Sequence, residues 1–306
     1  MMLIMMCGPS YSGKSTLAKE YAEKYNATIV ATDDIREELF GSADVQKDHD
    51  KVFALAYVRI GSLLAARRNV VFDATNLLMK HRMKFIERFK QFPVTFMCVV
   101  CATPLKEIQS RALTRERVVP YDVVMRQIKQ FQCPGEYEGW DIIEVRRSGE
   151  YTIEKDLARA MPVSQDNHNH TLTIGKHCEE AWNEAWKLVL KEDYSTIDCQ
   201  NVTRAARYHD IGKLYTKEFK NMKGEATKEA HFYGHHSVSS YFYLSSVESD
   251  EDDIPDERKL YIAQLIGWHM EPYFRKEKAW DKFVEIIGKE LAKDILIIHK
   301  ADLAAH

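Results

Sequence analysis

No run of apolar residues in this 306-residue chain approaches the roughly 18 that a membrane span needs. The apolar opening, Met1–Cys7, is stopped by Gly8 and has no basic flank, so neither a signal peptide nor a membrane partner is expected and a cytoplasmic location is inferred. Cysteine is sparse and unpatterned. Cys98 and Cys101 have a C-x-x-C spacing, but they lie in the apolar run 94–101, which reads as a strand. Residues three apart on a strand face opposite ways, so reduced, buried thiols are expected rather than a zinc knuckle. A strong charge of one sign is also missing: 43 Lys and Arg meet 46 Asp and Glu, for a net charge of −3. Residues 1–150 carry 22 basic against 19 acidic residues, and residues 151–306 carry 21 against 27. Arg59, Arg67, Arg68, Lys80, Arg82, Lys84, Arg88 and Lys90 hint at a polyanion surface, and solvated helix faces explain them equally well. Internal repeats and low-complexity segments are absent. What remains, 45% hydrophobic and 29% charged residues, describes a folded chain long enough for two domains.

The first half alternates apolar strand runs with helix-period stretches. Strands are expected at 3–7, 28–31, 70–72, 94–101 and 142–146, with helices between them, including a long one over 47–68. That alternation predicts a parallel sheet with helices on both faces. After about residue 150 the period is almost wholly helical, over 173–191, 197–211, 235–247, 258–269 and 289–305. The polar stretch Pro162–Asn169 is expected to link a domain over 1–150 to an all-α domain over 160–306, and the acidic tract Glu248–Asp256 to be a solvated loop.

Gly8-Pro9-Ser10-Tyr11-Ser12-Gly13-Lys14-Ser15-Thr16 follows the first strand and precedes a helix. In that context G-x-x-x-x-G-K-[ST] is a strong phosphate-loop signal. Its backbone N–H groups can turn toward phosphate oxygens, Lys14 adds a positive charge, and Ser15 offers a hydroxyl to Mg²⁺. A nucleoside triphosphate, ATP or another, is the expected ligand. Thr32-Asp33-Asp34-Ile35-Arg36 follows the second strand, where a carboxylate can accept an acceptor hydroxyl's proton and an arginine can hold an acceptor phosphate. Carboxylates that merely open a helix remain an alternative, more so for Asp34 than for Asp33. Asp73 closes the third strand, where it can hold a Mg²⁺-bound water. Arg111 and Arg115, four apart on a helical stretch before Val118-Val119-Pro120, can close over a transferring phosphate or simply face solvent.

Taken in order, these motifs resemble the kinase domain of the 5′-hydroxyl polynucleotide kinases over about residues 1–135. The resemblance implies that Asp33 is the general base toward a 5′-OH, that Arg36 contacts the acceptor phosphate, and that Arg115, or else Arg111, is the lid arginine. One departure is Thr32, where such kinases often carry Arg; it removes an acceptor-side charge and leaves room for a smaller acceptor.

The second half holds His209-Asp210-Ile211-Gly212-Lys213, with His177 earlier and Asp302 later. This H…HD…D order resembles the HD superfamily of metal-dependent phosphohydrolases over about residues 165–306. Adjacent His and Asp at one helix end offer nitrogen and oxygen to one ion, and distant helices add the rest. His235 or His236, with His269, fits the version of the site with extra ligands. One or two divalent transition metals (Mn, Ni, Co, Fe or Zn) are implied, and Lys213 can steady a phosphate. Ordinary core or surface roles suit His168, His170, His231, His299 and His306.

Together the halves are expected to heal broken nucleic-acid ends. The first would phosphorylate a 5′-OH with ATP and Mg²⁺, and the second would remove a 3′ or 2′ phosphate, or open a 2′,3′-cyclic one, in RNA or DNA ahead of a ligase. A small-molecule kinase fused to an HD nucleotidase, and a nucleotide-sensing regulator, are the alternatives.

Overall fold

The structure, a computed structural model, describes residues 1–45, 47–114, 118–168, 171–192, 194–247 and 254–305. Arg115, residues 248–253 of the acidic tract, Asn169, His170 and His306 lie outside them.

Contacts divide the chain into two compact units, Met1–Val124 with Pro134–Ser148, and Met125–Cys133 with Gly149–His306. The first is an α/β layer structure. Its strands are β1 (Met2–Cys7), β2 (Ala27–Ala31), β3 (Asn69–Asp73), β4 (Thr95–Ala102) and β5 (Ile142–Arg147). They form one sheet in the order β2-β3-β1-β4-β5, with every pairing parallel. The central strands are apolar along their length because a parallel sheet is covered on both faces. Leu3 to Cys7 of β1 and Met97 to Ala102 of β4 are all buried. Helices α1 (Lys14–Lys24), α2 (Thr32–Phe40), α3 (His49–Ala65), α4 (Met79–Phe89), α5 (Leu105–Leu113) and α6 (Tyr121–Ile128), whose second half belongs to the other unit, fill the connections. Ala18 and Tyr21 of α1 pack on Ile4, Met6, Val71, Met97, Val99 and Cys101, which fixes the helix that carries the phosphate loop.

Arg82 is fully buried and so is no part of a basic surface. Its guanidinium donates to both oxygens of Glu138, at 2.8 and 2.6 Å, and to the carbonyls of Asn76 and Leu77. A paired guanidinium tolerates burial where a lone one does not. All six cysteines are free and buried, including Cys98 and Cys101.

The second unit is built of helices α7 (Ile153–Ala160), α8 (Ile174–Val189), α9 (Thr196–Tyr208), α10 (Lys213–Thr216), α11 (His235–Ser245), α12 (Asp256–Trp268), α13 (Glu271–Phe274), α14 (Glu277–Ile287) and α15 (Lys289–Ala304). A small antiparallel hairpin, β6 (Glu218–Lys220) with β7 (Ala226–His231), adds two strands that helical periodicity does not announce. Small residues at the crossings, Ala181, Ala185, Ala205, Ala206, Ala263 and Ala301, are all buried and let helices pack closely. The stretch 162–168, expected as a linker, falls within this unit and is mostly exposed. Gln165 is buried, and Ala230 N–H donates to the Asp166 carbonyl. No described helix is long and apolar enough to cross a membrane.

Candidate active sites

At the carboxyl ends of β1 and β3, where open parallel sheets bind ligands, two loops are tied together. Gly8 N–H donates to the Thr75 carbonyl at 3.0 Å, and Asn76 Nδ2 donates to the Met6 carbonyl at 2.8 Å. Gly13 sits at φ +91°, a left-handed turn that an L side chain resists, just before α1 begins. Lys14 Nζ rests on the loop's own Pro9 carbonyl at 2.7 Å. Asp73 is buried, which pushes its carboxyl up, against the opposing pull of Lys14 and of a hydrogen bond from the Ser15 hydroxyl. Lysine, hydroxyl and strand-end carboxylate thus share one spot. A Mg²⁺–nucleotide fits this donor set: a point charge, a hydroxyl and a carboxylate beside a helix N-terminus.

Arg111 of α5 also reaches this loop. It donates to the Tyr11 carbonyl at 3.3 Å and to Ser148 Oγ at 2.9 Å, and it pairs with Glu107. Beside it is a cavity of about 240 Å³ lined by Ser12, Gly13, Thr16, Leu17, Glu20, Arg111, Arg146, Arg147 and Ser148. Arg146, Arg147 and Ser148 were not expected from the sequence; they follow from β5 ending beside the loop, which no local motif announces. Ser10 lies within the loop itself. Asp33 and Asp34 occupy the first turn of α2, so acceptor-site and helix-opening roles coincide there. Arg36, one turn on, donates to Asp33 Oδ1 at 2.9 Å, and its buried Nε makes no hydrogen bond. Thr32 is buried with its hydroxyl directed to the Asp73 carbonyl at 3.4 Å.

The second unit gathers His177 (α8), His209 and Asp210 (after α9), His235 (α11), His269 (after α12) and Asp302 (α15), all buried. They form two groups that share Asp210. One is His177, His209, Asp210 and Asp302; the other is Asp210, His235 and His269. In each group the ligand atoms lie within 4.8 Å of one another. His177 Nε2 lies 3.3 Å from Asp210 Oδ2 and 3.0 Å from Asp302 Oδ1. On the other carboxylate oxygen, His235 Nε2 lies 3.1 Å from Asp210 Oδ1, with His269 Nε2 at 3.8 Å.

Helix geometry orients the rings. His209, His235 and His269 each set Nδ1 on the carbonyl three residues earlier: Ala206 at 2.7 Å, Phe232 at 2.8 Å and Ile266 at 2.7 Å. His177 Nδ1 faces the Ala305 carbonyl at 3.3 Å. A carbonyl only accepts, so Nδ1 holds a proton and Nε2 is the atom turned to the centre, a lone pair for a metal wherever it carries no second proton. Buried Nε2 of His209 and Oδ1 of Asp210 make no hydrogen bond. Acceptors turned toward acceptors in a buried space call for cations, and imidazole with carboxylate suits borderline divalent metals. Two ions sharing Asp210 fit the set.

Gly212 lets the site close. A Cβ there would stand 2.2 Å from the His235 carbonyl oxygen, and its N–H donates to Ser239 Oγ at 2.8 Å. The glycine therefore presses the His209-Asp210 turn onto the first turn of α11. Lys213 Nζ bridges Asp210 Oδ2 at 2.6 Å and Gln165 Oε1 at 2.7 Å. Burial raises the Asp210 carboxyl, but His209, Lys213 and His235 outweigh it and hold it well below the usual range. Asp302 is held low in the same way by His177 and His209. For His177, burial pulls down and hydrogen bonds to Asp210 and Asp302 pull harder, up to about 9. Burial and neighbouring His209 and His235 push His269 far down.

The sequence left His235 and His236 as alternatives. His235 faces Asp210, whereas the His236 ring packs near Phe274 at 6.2 Å and is driven down to about 3 by burial. His168 pairs with Glu229, and His231 stacks on Tyr233, both away from the ligand set. Gln165 was missed because a buried glutamine in a polar stretch carries no pattern.

Residues 3–134 match a family described as AAA domain. The chain is 26% identical over 152 residues to the L-seryl-tRNA(Sec) kinase of Methanococcus maripaludis, covering 47% of this chain. It spans 58% of that relative's length. Among solved structures, the Pnkp1/Rnl/Hen1 RNA repair complex matches at 21% identity, with a TM-score of 0.39, over 42% of this chain and 43% of that one. The Mycobacterium tuberculosis APS kinase matches at 21% identity, with a TM-score of 0.35, over 48% of this chain and 90% of that one. The chain thus combines a P-loop kinase-like domain with a helical region holding clustered His and Asp residues that suit metal.

Proposed function

We propose that the chain is a two-activity phosphotransfer enzyme: an ATP-dependent kinase for a small hydroxyl acceptor of the nucleoside or nucleotide class, joined to an HD-type nucleotidase. The observation that carries the acceptor half of this reading is the neutral, buried Thr32 beside Arg36. Arg82, one of the basic residues that hinted at a polyanion surface, is interior as well. In the kinase step Asp33 takes the acceptor hydroxyl's proton as that oxygen bonds to the γ-phosphorus. Arg36 orients the acceptor, Lys14 and Arg111 offset charge on the phosphates, and ADP leaves. Ser15 and Asp73 would hold Mg²⁺.

In the hydrolytic half, His177, His209, Asp210, Asp302, His235 and His269 would hold two divalent metals. When bound, such a pair supplies a water of lowered pKa and a clamp for phosphate oxygens. Lys213, held by Gln165, stands where it can meet the phosphate.

A second reading, healing of polynucleotide ends by 5′-phosphorylation and removal of a 3′ or 2′ phosphate, is favoured by the relative named for L-seryl-tRNA(Sec), an acceptor carried on RNA. One experiment separates them. γ-Labelled ATP and divalent metal are supplied with a nucleoside, a nucleoside monophosphate or a 5′-OH oligonucleotide bearing a 3′-phosphate. The first reading expects Asp33-dependent label on the small acceptors and His209-dependent phosphate release from the nucleotide. Preferred labelling of the oligonucleotide establishes the second reading instead. ATP hydrolysis that labels no acceptor overturns both.

A further inference from the structure

The metal-ligand cluster explains how a phosphate would be held but leaves two large rings at its edge without a role. Tyr273 and Phe274, consecutive on α13, are 44% and 63% exposed. Single exposed apolar residues are common, but a pair of adjacent rings touching a reactive centre is a feature to explain. Tyr273 Oη donates to Asp302 Oδ2 at 3.1 Å, and its ring meets the edge of His299 at 4.3 Å. The Phe274 ring lies 6.2 Å from His236, whose ring is 5.5 Å from that of His235 and 6.3 Å from that of His269. Tyr273 thus touches a ligand of the cluster directly, and Phe274, on the same short segment, is one side chain away from two more.

That segment is held. It starts two residues past His269, so a candidate ligand anchors its beginning. Pro272 sits in its first turn, Glu271 pairs with Arg275, and the Arg275 guanidinium lies 4.3 Å over the Phe283 ring. Phe283 is itself buried. A packed arginine at one end and a metal-ligating histidine at the other make α13 a fixed shelf, and fixed rings lose little entropy on binding.

We propose that Tyr273 and Phe274 form the base-binding subsite of the hydrolytic centre, selecting phosphomonoesters that carry a nucleobase one ribose away from the phosphate. The proposal rests on the nucleotidase reading above and adds what selects the substrate. The Tyr273 ring stands one hydroxyl away from the ligand Asp302, so a phosphate at the cluster would bring the rest of its ester beside the shelf. Stacking on an aromatic ring accepts any base, because every base has a π face; the shelf selects nucleotides over sugar phosphates without choosing among bases.

The test compares full-length wild type, Phe274→Ala, Phe274→Trp, Tyr273→Phe and Tyr273→Ala in manganese. The probes are adenosine 3′- and 5′-monophosphate, whichever is turned over faster, and ribose 5-phosphate. Loss of one stacked ring costs about 1–3 kcal/mol, or about 5- to 150-fold. Phe274→Ala is therefore expected to lower kcat/KM for the nucleotide about tenfold more than for ribose 5-phosphate, mostly through KM. Phe274→Trp and Tyr273→Phe keep a ring and should keep the preference; Tyr273→Ala should lose it. Calorimetric Kd values for hydrolysis-resistant phosphonate analogues of both probes must show the same ratio change. Since those values need no turnover, they decide the shelf even if wild type hydrolyses neither ester, a result that would sink the nucleotidase reading alone. An equal loss for both probes in Phe274→Ala, or no loss for either, overturns the proposal.

Discussion

The two sites of this chain are built by opposite means. The phosphate loop is a backbone device: consecutive residues at a strand–helix turn, with side chains such as Lys14 resting on the loop's own carbonyl. The metal cluster is a side-chain device, its ligands brought from five helical regions and buried. A loop site depends on local conformation and keeps some of its charges near solvent; the Asp33 carboxylate is 53% exposed. A buried cluster depends on packing between distant helices and gathers groups that repel one another until a cation is bound. Damage to one ligand should therefore act very differently in the two places.

The largest effect is expected at the shared residue of the cluster. Asp210→Asn removes a carboxylate charge common to both groups, and bound metal measured by elemental analysis should fall from two per chain to below one. Phosphate release should fall about a thousandfold or more, by comparison with the 10²–10³ cost of losing one electrostatic contact in a reacting site. Kinase turnover should change less than about twofold; a parallel loss there would break the contrast drawn above. Arg82→Met asks the reverse question of the first unit. It strands the Glu138 carboxylate in the interior, which costs about 3–5 kcal/mol. Kinase activity should be lost at a lower temperature while phosphate release persists. The double change Arg82→Met with Glu138→Leu should recover most of that loss, since the buried pair is replaced rather than broken.

Next in size is Lys14→Ala. Removing the charge over the transferring phosphates is expected to lower kinase kcat about 100- to 1000-fold. ATP should still bind, because backbone N–H groups supply much of the cradle. Loss of ATP binding equal to the loss of turnover would make the lysine the site's main anchor and the loop less self-sufficient than its geometry indicates.

Legibility in the sequence follows the same divide. Lys14, Ser15 and Asp73 could be read because a strand-end apolar run and a spacing of glycines are local facts. A parallel sheet follows from strands alternating with helices, though its order β2-β3-β1-β4-β5 does not, and buried β1 and β4 are apolar along their length. His209-Asp210 was legible as an adjacent pair, but the choice of His235 over His236 depends on which face of α11 turns inward, and α11 is buried nearly all round. With no polar face there is no phase to read. Arg82 looked like a surface charge because its partner Glu138 lies 56 residues away. Gln165 looked like linker, and the β6–β7 hairpin is too short and polar to stand out from a helical background. What the sequence hides in each case is a partner distant along the chain.

The smallest effect tests whether protons and metal compete for the same lone pairs. In the metal-free protein His177 is raised to about 9, as burial is outweighed by Asp210 and Asp302. The proton it carries on Nε2 stands where a metal would bind. A raised pKa means the protonated ring stabilises the metal-free fold fully below its unfolded value of about 6.5. That contribution is lost as pH rises through about 9. Metal uptake must displace the same proton, so affinity should rise about tenfold per pH unit as pH approaches about 9 and then level off. Calorimetry in buffers of different ionisation enthalpy should count about one proton released per chain at pH 7.5 from this histidine. A metal affinity flat across that window would mean that His177 is already neutral when the metal arrives, and the carboxylates would then be paired with Lys213 rather than with the ring. Lys213→Met distinguishes the two: it should move the levelling-off to higher pH if the lysine shares Asp210 with His177, at its observed 2.6 Å, and leave it unaltered otherwise.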